Sequence, residues 1–290
     1  MNDYLLLTAG PVPISNNIKQ ILSQPFYYHR TDQFVRIYEE VTEGLQYLFR
    51  TKNDVLILTS SGTGGMEAAV TNFFSPEDQV LVVENGKFSE RWSEIAAHYG
   101  VTVHRLSLEW GKSVTVEEIT QKINEIPLLK GIFFTHCETS TGALTDLETI
   151  VPIIRKKTNA LIVVDAISSA GVLPLKMDDW EIDVLVSASQ KGLGLPPGLA
   201  FVAVNNRAWV YSEQSDIPKY YLDLVRARQA WRLKRGAAFT PAIPLISAAN
   251  LVLKNIRKAG IESLKSLQLI FVTFFIIRLP TKIKLGATTG

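Results

Sequence analysis

Leu147-Glu148-Thr149-Ile150-Val151-Pro152-Ile153-Ile154-Arg155-Lys156, followed by Ala160-Leu161-Ile162-Val163-Val164-Asp165-Ala166, sets the architecture of this 290-residue chain. The first run spaces its apolar residues along one helix face. The second is a short, unbroken apolar run of the kind that forms a strand covered on both sides. Working outward, strand-like runs recur at Val55–Leu58, Gln79–Val83, Val101–Leu106, Gly131–Thr135, Val184–Val186 and Ala200–Val204. Helical stretches at Gly65–Phe74, Phe88–Tyr99 and Val116–Glu125 fall between several of them. This alternation predicts an α/β fold, a mostly parallel sheet sandwiched by helices. Such sheets bind their ligands beyond the carboxyl ends of the strands.

The flanks differ. Leu5–Pro13 reads as an extended arm, because Gly10, Pro11 and Pro13 follow its apolar residues. Helical spacing returns over Ser15–Leu22 and Gln33–Phe49. After Pro241 one long helix is expected to end near Gly260 and a second to begin around Ile261. An apolar tail without helical period, Phe271–Pro280, follows. A net charge of +2, from 30 Lys+Arg against 28 Asp+Glu, argues against a nucleic-acid coat. A single cysteine makes no intrachain disulfide and no Cys-based zinc site, so no metal is expected and a reducing compartment is. The N-terminus lacks the pattern of a signal peptide, and Leu269–Ile277 is too short to span a bilayer. The expectation is a soluble, cytoplasmic protein.

Three strand-end loops carry chemistry. Thr59-Ser60-Ser61-Gly62-Thr63-Gly64-Gly65 opens a helix, so its backbone N–H groups and the helix dipole favour an anion such as phosphate. An ordinary strand-to-helix turn is the equal alternative at this point. Asp165 ends a buried apolar strand, where an acid needs compensation, for instance by a protonated ring nitrogen. Lys191 follows Ser187-Ala188-Ser189-Gln190 in a loop of small residues, where desolvation would make its amine nucleophilic. An anion cradle, a buried acid and a lysine at three strand ends suit pyridoxal 5′-phosphate, which presents a phosphate, a pyridine nitrogen and an aldehyde. Phe88, in Asn85-Gly86-Lys87-Phe88, can lay an aromatic face on the ring. The loop Thr135–Gly142 can hydrogen-bond the ring's oxygen substituent.

With these residues the chain resembles a class V aminotransferase of the aspartate-aminotransferase fold, nearest the serine–pyruvate / alanine–glyoxylate group. The likeness runs through Leu7-Thr8-Ala9-Gly10-Pro11, His29-Arg30-Thr31, Ser61-Gly62-Thr63 and Asn85-Gly86-Lys87-Phe88. It continues through His136–Gly142, Val164-Asp165-Ala166, Ser189-Gln190-Lys191 and Phe239-Thr240-Pro241-Ala242. The resemblance implies that Lys191 forms the Schiff base and moves a proton between substrate Cα and the cofactor, while Asp165 keeps the ring nitrogen protonated. It places Ser61, Gly62, Thr63 and Gln190 on the phosphate, Phe88 on the ring and Ser140 near the ring's oxygen. It also implies a homodimer with shared sites, in which the stretch Phe239–Ala242 reaches the partner's phosphate. This chain lacks the hydroxyls common at Phe239 and Ala242, and Thr240 is the expected substitute there.

The implied organisation is an N-terminal arm (1–20), a pyridoxal-phosphate-binding large domain (21–245), and an interdomain helix with an incomplete C-terminal domain (246–290). Family members continue into a small domain that supplies the arginine gripping the substrate carboxylate. Here the likeness fades after about Ser266, Arg278 matches nothing, and the chain is expected to be truncated. The activity implied is transfer of an amino group between a small amino acid (alanine or serine type) and a 2-oxo acid (glyoxylate or pyruvate type). The alternatives are a non-catalytic remnant that retains the cofactor, or a cysteine desulfurase or lyase using Cys137.

Overall fold

The computed structural model of the chain describes residues 8–25 and 27–262. Leu7, the tail Phe271–Pro280, Arg278 and nearly all of the helix expected from Ile261 lie outside the described residues. Two helices come first, α1 (Asn16–Leu22) and α2 (Asp32–Phe49), whose N-caps Ser15 and Thr31 accept the N–H of Ile18 and Phe34. Strand and helix then alternate through β1 (Asp54–Leu58), α3 (Gly62–Phe73), β2 (Gln79–Glu84), α4 (Lys87–His98), β3 (Thr102–Ser107), α5 (Val116–Asn124) and β4 (Leu129–Thr135). A short hairpin of β5 (Cys137–Glu138) and β6 (Ala143–Leu144) leads into α6 (Leu147–Arg155), β7 (Leu161–Asp165), β8 (Val184–Ala188) and β9 (Ala200–Val204). Helices α7 (Asn206–Ser212), α8 (Leu224–Lys234) and α9 (Ile243–Ala259) follow.

The main sheet has seven strands in the order β1-β9-β8-β7-β4-β2-β3. Pairs β2–β3, β2–β4, β4–β7 and β7–β8 are parallel, whereas β9 runs antiparallel to both β8 and β1. The loop from Ser189 to Leu199 contains no helix to carry the chain back across the sheet, so β9 returns beside β8 in the opposite sense. Side chains alternate between two cores as the pleat requires. Ile162 and Val164 of β7 join a cluster with α2, α6 and α9, while Leu161 and Val163 join one with α3 and α4. Both faces are therefore covered, and each such side chain contributes roughly 1.5–3 kcal/mol on burial. Ile246, Ala249 and Leu253 of α9 belong to the same core as Phe34, Val41 and Leu45 of α2.

Helix α3 starts at Gly62 rather than at the expected Gly65. Its glycines serve close packing: a Cβ on Gly65 would lie 2.8 Å from Val186 Cγ1, and one on Gly62 would lie 2.5 Å from Ile167 Cδ1. The first turn of α3 is thereby pressed onto β8, where a larger residue has no room. Helix α8 was not expected from the sequence, since its weakly patterned, arginine-rich run is anchored by charge. Arg228 and Arg232 pair with Asp54 at the start of β1 at 2.8 and 3.1 Å. Among the described residues no helix is long and apolar enough to cross a membrane.

Candidate active site

Because β1, β2, β4, β7 and β8 run in the same sense, their carboxyl ends share one edge, and Thr135, Asp165 and Val186 stand in register there. A cavity of about 270 Å³ lies beyond this edge. Its walls come from separate elements: Ser61, Gly62 and Thr63 from the start of α3, Phe88 and Arg91 from α4, and Cys137 and Thr139 from the loop after β4. Asp165, Ile167 and Ser168 follow β7, Gln190 and Lys191 follow β8, and Gly10 and Pro11 close the cavity from the N-terminal arm. A polar cleft at the opposite edge, lined by Arg155, Asp183 and Arg207, has its charges already spent within the fold. Arg155 Nη2 donates to Asp183 Oδ2 at 2.6 Å.

Lys191 is half-buried, and its Nζ donates to the Ala9 carbonyl at 3.0 Å. The ammonium lies 5.8 Å from the centroid of the Phe88 ring. Burial pushes its amine below the usual lysine range, and the neighbouring Asp165 pulls in the opposite direction without reversing the shift. Asp165 is only 5% exposed, and burial raises its carboxyl to about 7. The Ile167 N–H, donated to Oδ1 at 2.7 Å, opposes that rise. A carboxyl held so high in an apolar strand end is one that a cationic partner brings back to its ionised form.

The anion cradle has unspent donors. Ser61 is the N-cap of α3 yet its side chain makes no capping bond, and the N–H groups of Gly62 and Thr63 belong to the first turn, which has no intrahelical acceptors. Gln190 lines the same cavity, and its buried Oε1 is an acceptor with no hydrogen-bond partner, open to a donor that enters there. A hydroxyl free of capping and first-turn N–H groups at one end, a buried acid and a lysine at the other, and an aromatic face between them fit the phosphate, ring nitrogen, aldehyde and ring of pyridoxal phosphate.

The structure brings together Ser61, Gly62, Thr63, Phe88, Asp165, Gln190 and Lys191 around one cavity. It does not bring Ser140 there. The Ser140 hydroxyl donates to Glu138 Oε1 at 2.7 Å and accepts the Lys87 N–H at 2.9 Å, and Thr139 lines the cavity instead. Thr240 lines a different, small cavity beside Tyr38 and Thr59. Sequence reasoning missed Arg91, whose guanidinium carbon lies 5.1 Å from the Phe88 ring centroid and whose Nη1 donates to Thr63 Oγ1 at 3.3 Å. Its three-residue spacing from Phe88 on a helix was the available signal. Sequence reasoning also missed Glu138, which is completely buried.

Fold and site together define an α/β enzyme scaffold with a lysine–aspartate–anion-cradle centre. Residues 20–278 match the family described as Aminotransferase class-V, and the chain belongs to that family. Class V aminotransferases depend on pyridoxal phosphate. The chain is 40% identical over 267 residues to the soluble hydrogenase 42 kDa subunit of Anabaena cylindrica, covering 91% of this chain and 70% of that one. It is 31% identical over 274 residues to alanine–glyoxylate aminotransferase 1 of Saccharomyces cerevisiae, covering 89% of this chain and 71% of the relative. Among solved structures, the subgroup IV aspartate aminotransferase of Thermus thermophilus superposes with a TM-score of 0.83 at 37% identity, over 91% of this chain and 73% of that one.

Proposed function

We propose that this cavity binds pyridoxal phosphate through Lys191 and that the chain exchanges an amino group between a small amino acid and a 2-oxo acid of the glyoxylate or pyruvate type. The observation that carries the reading is the convergence of Lys191 and Asp165 on one cavity whose far wall is an unspent anion cradle. When bound, the cofactor supplies an electron sink that stabilises negative charge at the substrate Cα. The protein's own residues do the rest. Lys191, whose Nζ stands over the Phe88 face of the cavity, would hold the cofactor's aldehyde end, and its free amine would be the base that takes the proton from the substrate Cα. The depressed basicity of Lys191 keeps a larger neutral fraction available for that step. Asp165 would hold a proton on the ring nitrogen, Phe88 would orient the ring, and Ser61, Gly62, Thr63 and Gln190 would hold the phosphate.

Relatives named for alanine and for aspartate as amino donor support a small amino acid as donor, and the yeast relative's name supports glyoxylate as acceptor. A homodimer is proposed on the exposed Tyr220 and Tyr221, the second of which stacks on the half-buried Phe239 at 5.3 Å next to Thr240. The desulfurase reading has less support. Cys137 sits in strand β5, and burial, with Glu138 and Asp165 adding negative charge, pushes its thiol upward, away from the nucleophilic thiolate.

The test is spectroscopic. Added pyridoxal phosphate is expected to give a protein-bound absorbance band, which alanine, serine or aspartate bleaches and glyoxylate or pyruvate restores. A band that no amino donor bleaches would refute amino transfer while leaving cofactor binding intact.

A further inference from the structure

The aromatic wall of the cavity is held by a residue outside the cavity. Helix α4 begins after Gly86, which has no side chain to cap it. The N–H groups of its first turn are bound from the β5–β6 hairpin instead. Glu138 Oε2 accepts the Phe88 N–H at 3.1 Å and the Ser89 N–H at 2.8 Å, and Ser140 Oγ accepts the Lys87 N–H at 2.9 Å. Glu138 Oε1 in turn accepts the Ser140 N–H at 3.1 Å and the Ser140 hydroxyl at 2.7 Å. The carboxylate is thus fully buried yet saturated with donors, at the positive end of a helix dipole. The fit is tight, since a Cβ on Gly86 would lie 2.5 Å from both Glu138 Cγ and Ser140 Oγ. The chain neighbours of Glu138, Cys137 and Thr139, line the same cavity as Phe88. One carboxylate therefore ties two cavity walls together.

We propose that Glu138 is a positioning residue for the cofactor ring: its carboxylate fixes the first turn of α4 and so holds Phe88 against the cavity. The proposal rests on the cofactor reading above. Glu138→Gln keeps the volume but leaves one accepting oxygen where the carboxylate has two, so its amide N–H2 must face either the N–H groups of Phe88 and Ser89 or that of Ser140, and the tie between hairpin and first turn is weakened while the Phe88 side chain is retained. If Glu138 acts through Phe88, its substitution forfeits roughly the worth of one aromatic pair, about a 2- to 12-fold loss in cofactor affinity.

The experiment measures the dissociation constant of pyridoxal phosphate by absorbance for wild type, Glu138→Gln, Phe88→Ala and the double variant. Thermal melts of each cofactor-free protein accompany it. The expected result is weaker binding by Glu138→Gln and a double variant no weaker than Phe88→Ala alone, because the ring that Glu138 positions is already gone. Losses that multiply in the double variant, or a Glu138→Gln protein that binds like wild type, would overturn the proposal. Should Glu138→Gln show no cooperative melt, Ser140→Ala removes one contact of the same cluster, and an unchanged dissociation constant there overturns it equally. Wild-type protein that takes up no cofactor overturns the cofactor reading and this inference together. Wild-type uptake with an indifferent Glu138→Gln overturns this inference alone.

Discussion

Replacing Asp165 by Asn is expected to stabilise the cofactor-free protein at neutral pH while destroying its use for the cofactor. Asp165 lies at the carboxyl end of β7 among side chains that give it almost no contact with water, and its carboxyl titrates at about 7. In the unfolded chain the same group titrates at about 3.9. Between these values the folded protein holds a proton that the unfolded chain has released, so wild-type stability falls as pH rises from about 4 to about 7 and is level beyond. At about 1.4 kcal/mol per pH unit, the accumulated penalty is about 4 kcal/mol. Asn cannot ionise, and its amide oxygen can still accept the Ile167 N–H that Asp165 holds at 2.7 Å. Urea unfolding of both cofactor-free proteins from pH 5 to pH 8.5 measures the gap. On this ionisation term the variant should lead by about 1.5 kcal/mol at pH 5 and by about 4 kcal/mol at pH 8. Pyridoxal phosphate at a hundredfold excess over its dissociation constant should then return about 2.7 kcal/mol to wild type and far less to the variant. A gap that does not change with pH, or a wild type as stable as the variant at pH 8, would refute the reasoning.

Three further outcomes follow from contacts elsewhere. Gly10→Ala places a methyl 2.5 Å from Lys191 Cδ and 2.8 Å from Nζ, at a φ of +137° that suits glycine. Covalent capture of the cofactor, followed by stopped-flow absorbance, should slow by up to about a hundredfold, the cost of a misplacement of about 1 Å at a reacting group, with little change in melting temperature. Arg155→Ala strips Asp183, 1% exposed, of its guanidinium partner and should cost about 3 kcal/mol in urea unfolding, the low end for a broken buried pair. The Ile162 N–H and the Asn205 amide remain on the Asp183 carboxylate, and the cofactor band should be unaltered. Cys137→Ser should keep amino transfer within a few-fold of wild type and should change sulfide release from cysteine not at all. Sulfide release by wild type that Cys137→Ser abolishes would revive the desulfurase reading.

The parts of this molecule that could be read from its sequence are those where one residue's type already constrains its surroundings. Leu161–Val164 and Val184–Val186 have no polar face, so they had to be strands covered on both sides, and they are. Lys191, Asp165 and Ser61–Thr63 stood out because each ends such a strand. The direction of β9 was not legible, since Ala200–Val204 reads the same in either sense and only the helix-free loop before it decides. Helix α8 was missed because Asp54, which anchors it, lies far away in sequence. Glu138 was missed for a related reason. After a strand, a lone glutamate in a Thr/Ser-rich turn looks like a solvated charge, and its burial is created only when Gly86 brings α4 against it. The resemblance implied that Ser140 lies near the ring's oxygen, but its hydroxyl is already committed to Glu138.

The account stands or falls on where the cofactor attaches. Borohydride reduction of the pyridoxal phosphate complex, followed by proteolysis and mass spectrometry, should place the reduced phosphopyridoxyl group on Lys191. The Lys191→Ala protein treated identically should carry none. A modification spread over surface lysines, or one that persists at the same level in Lys191→Ala, would contradict it.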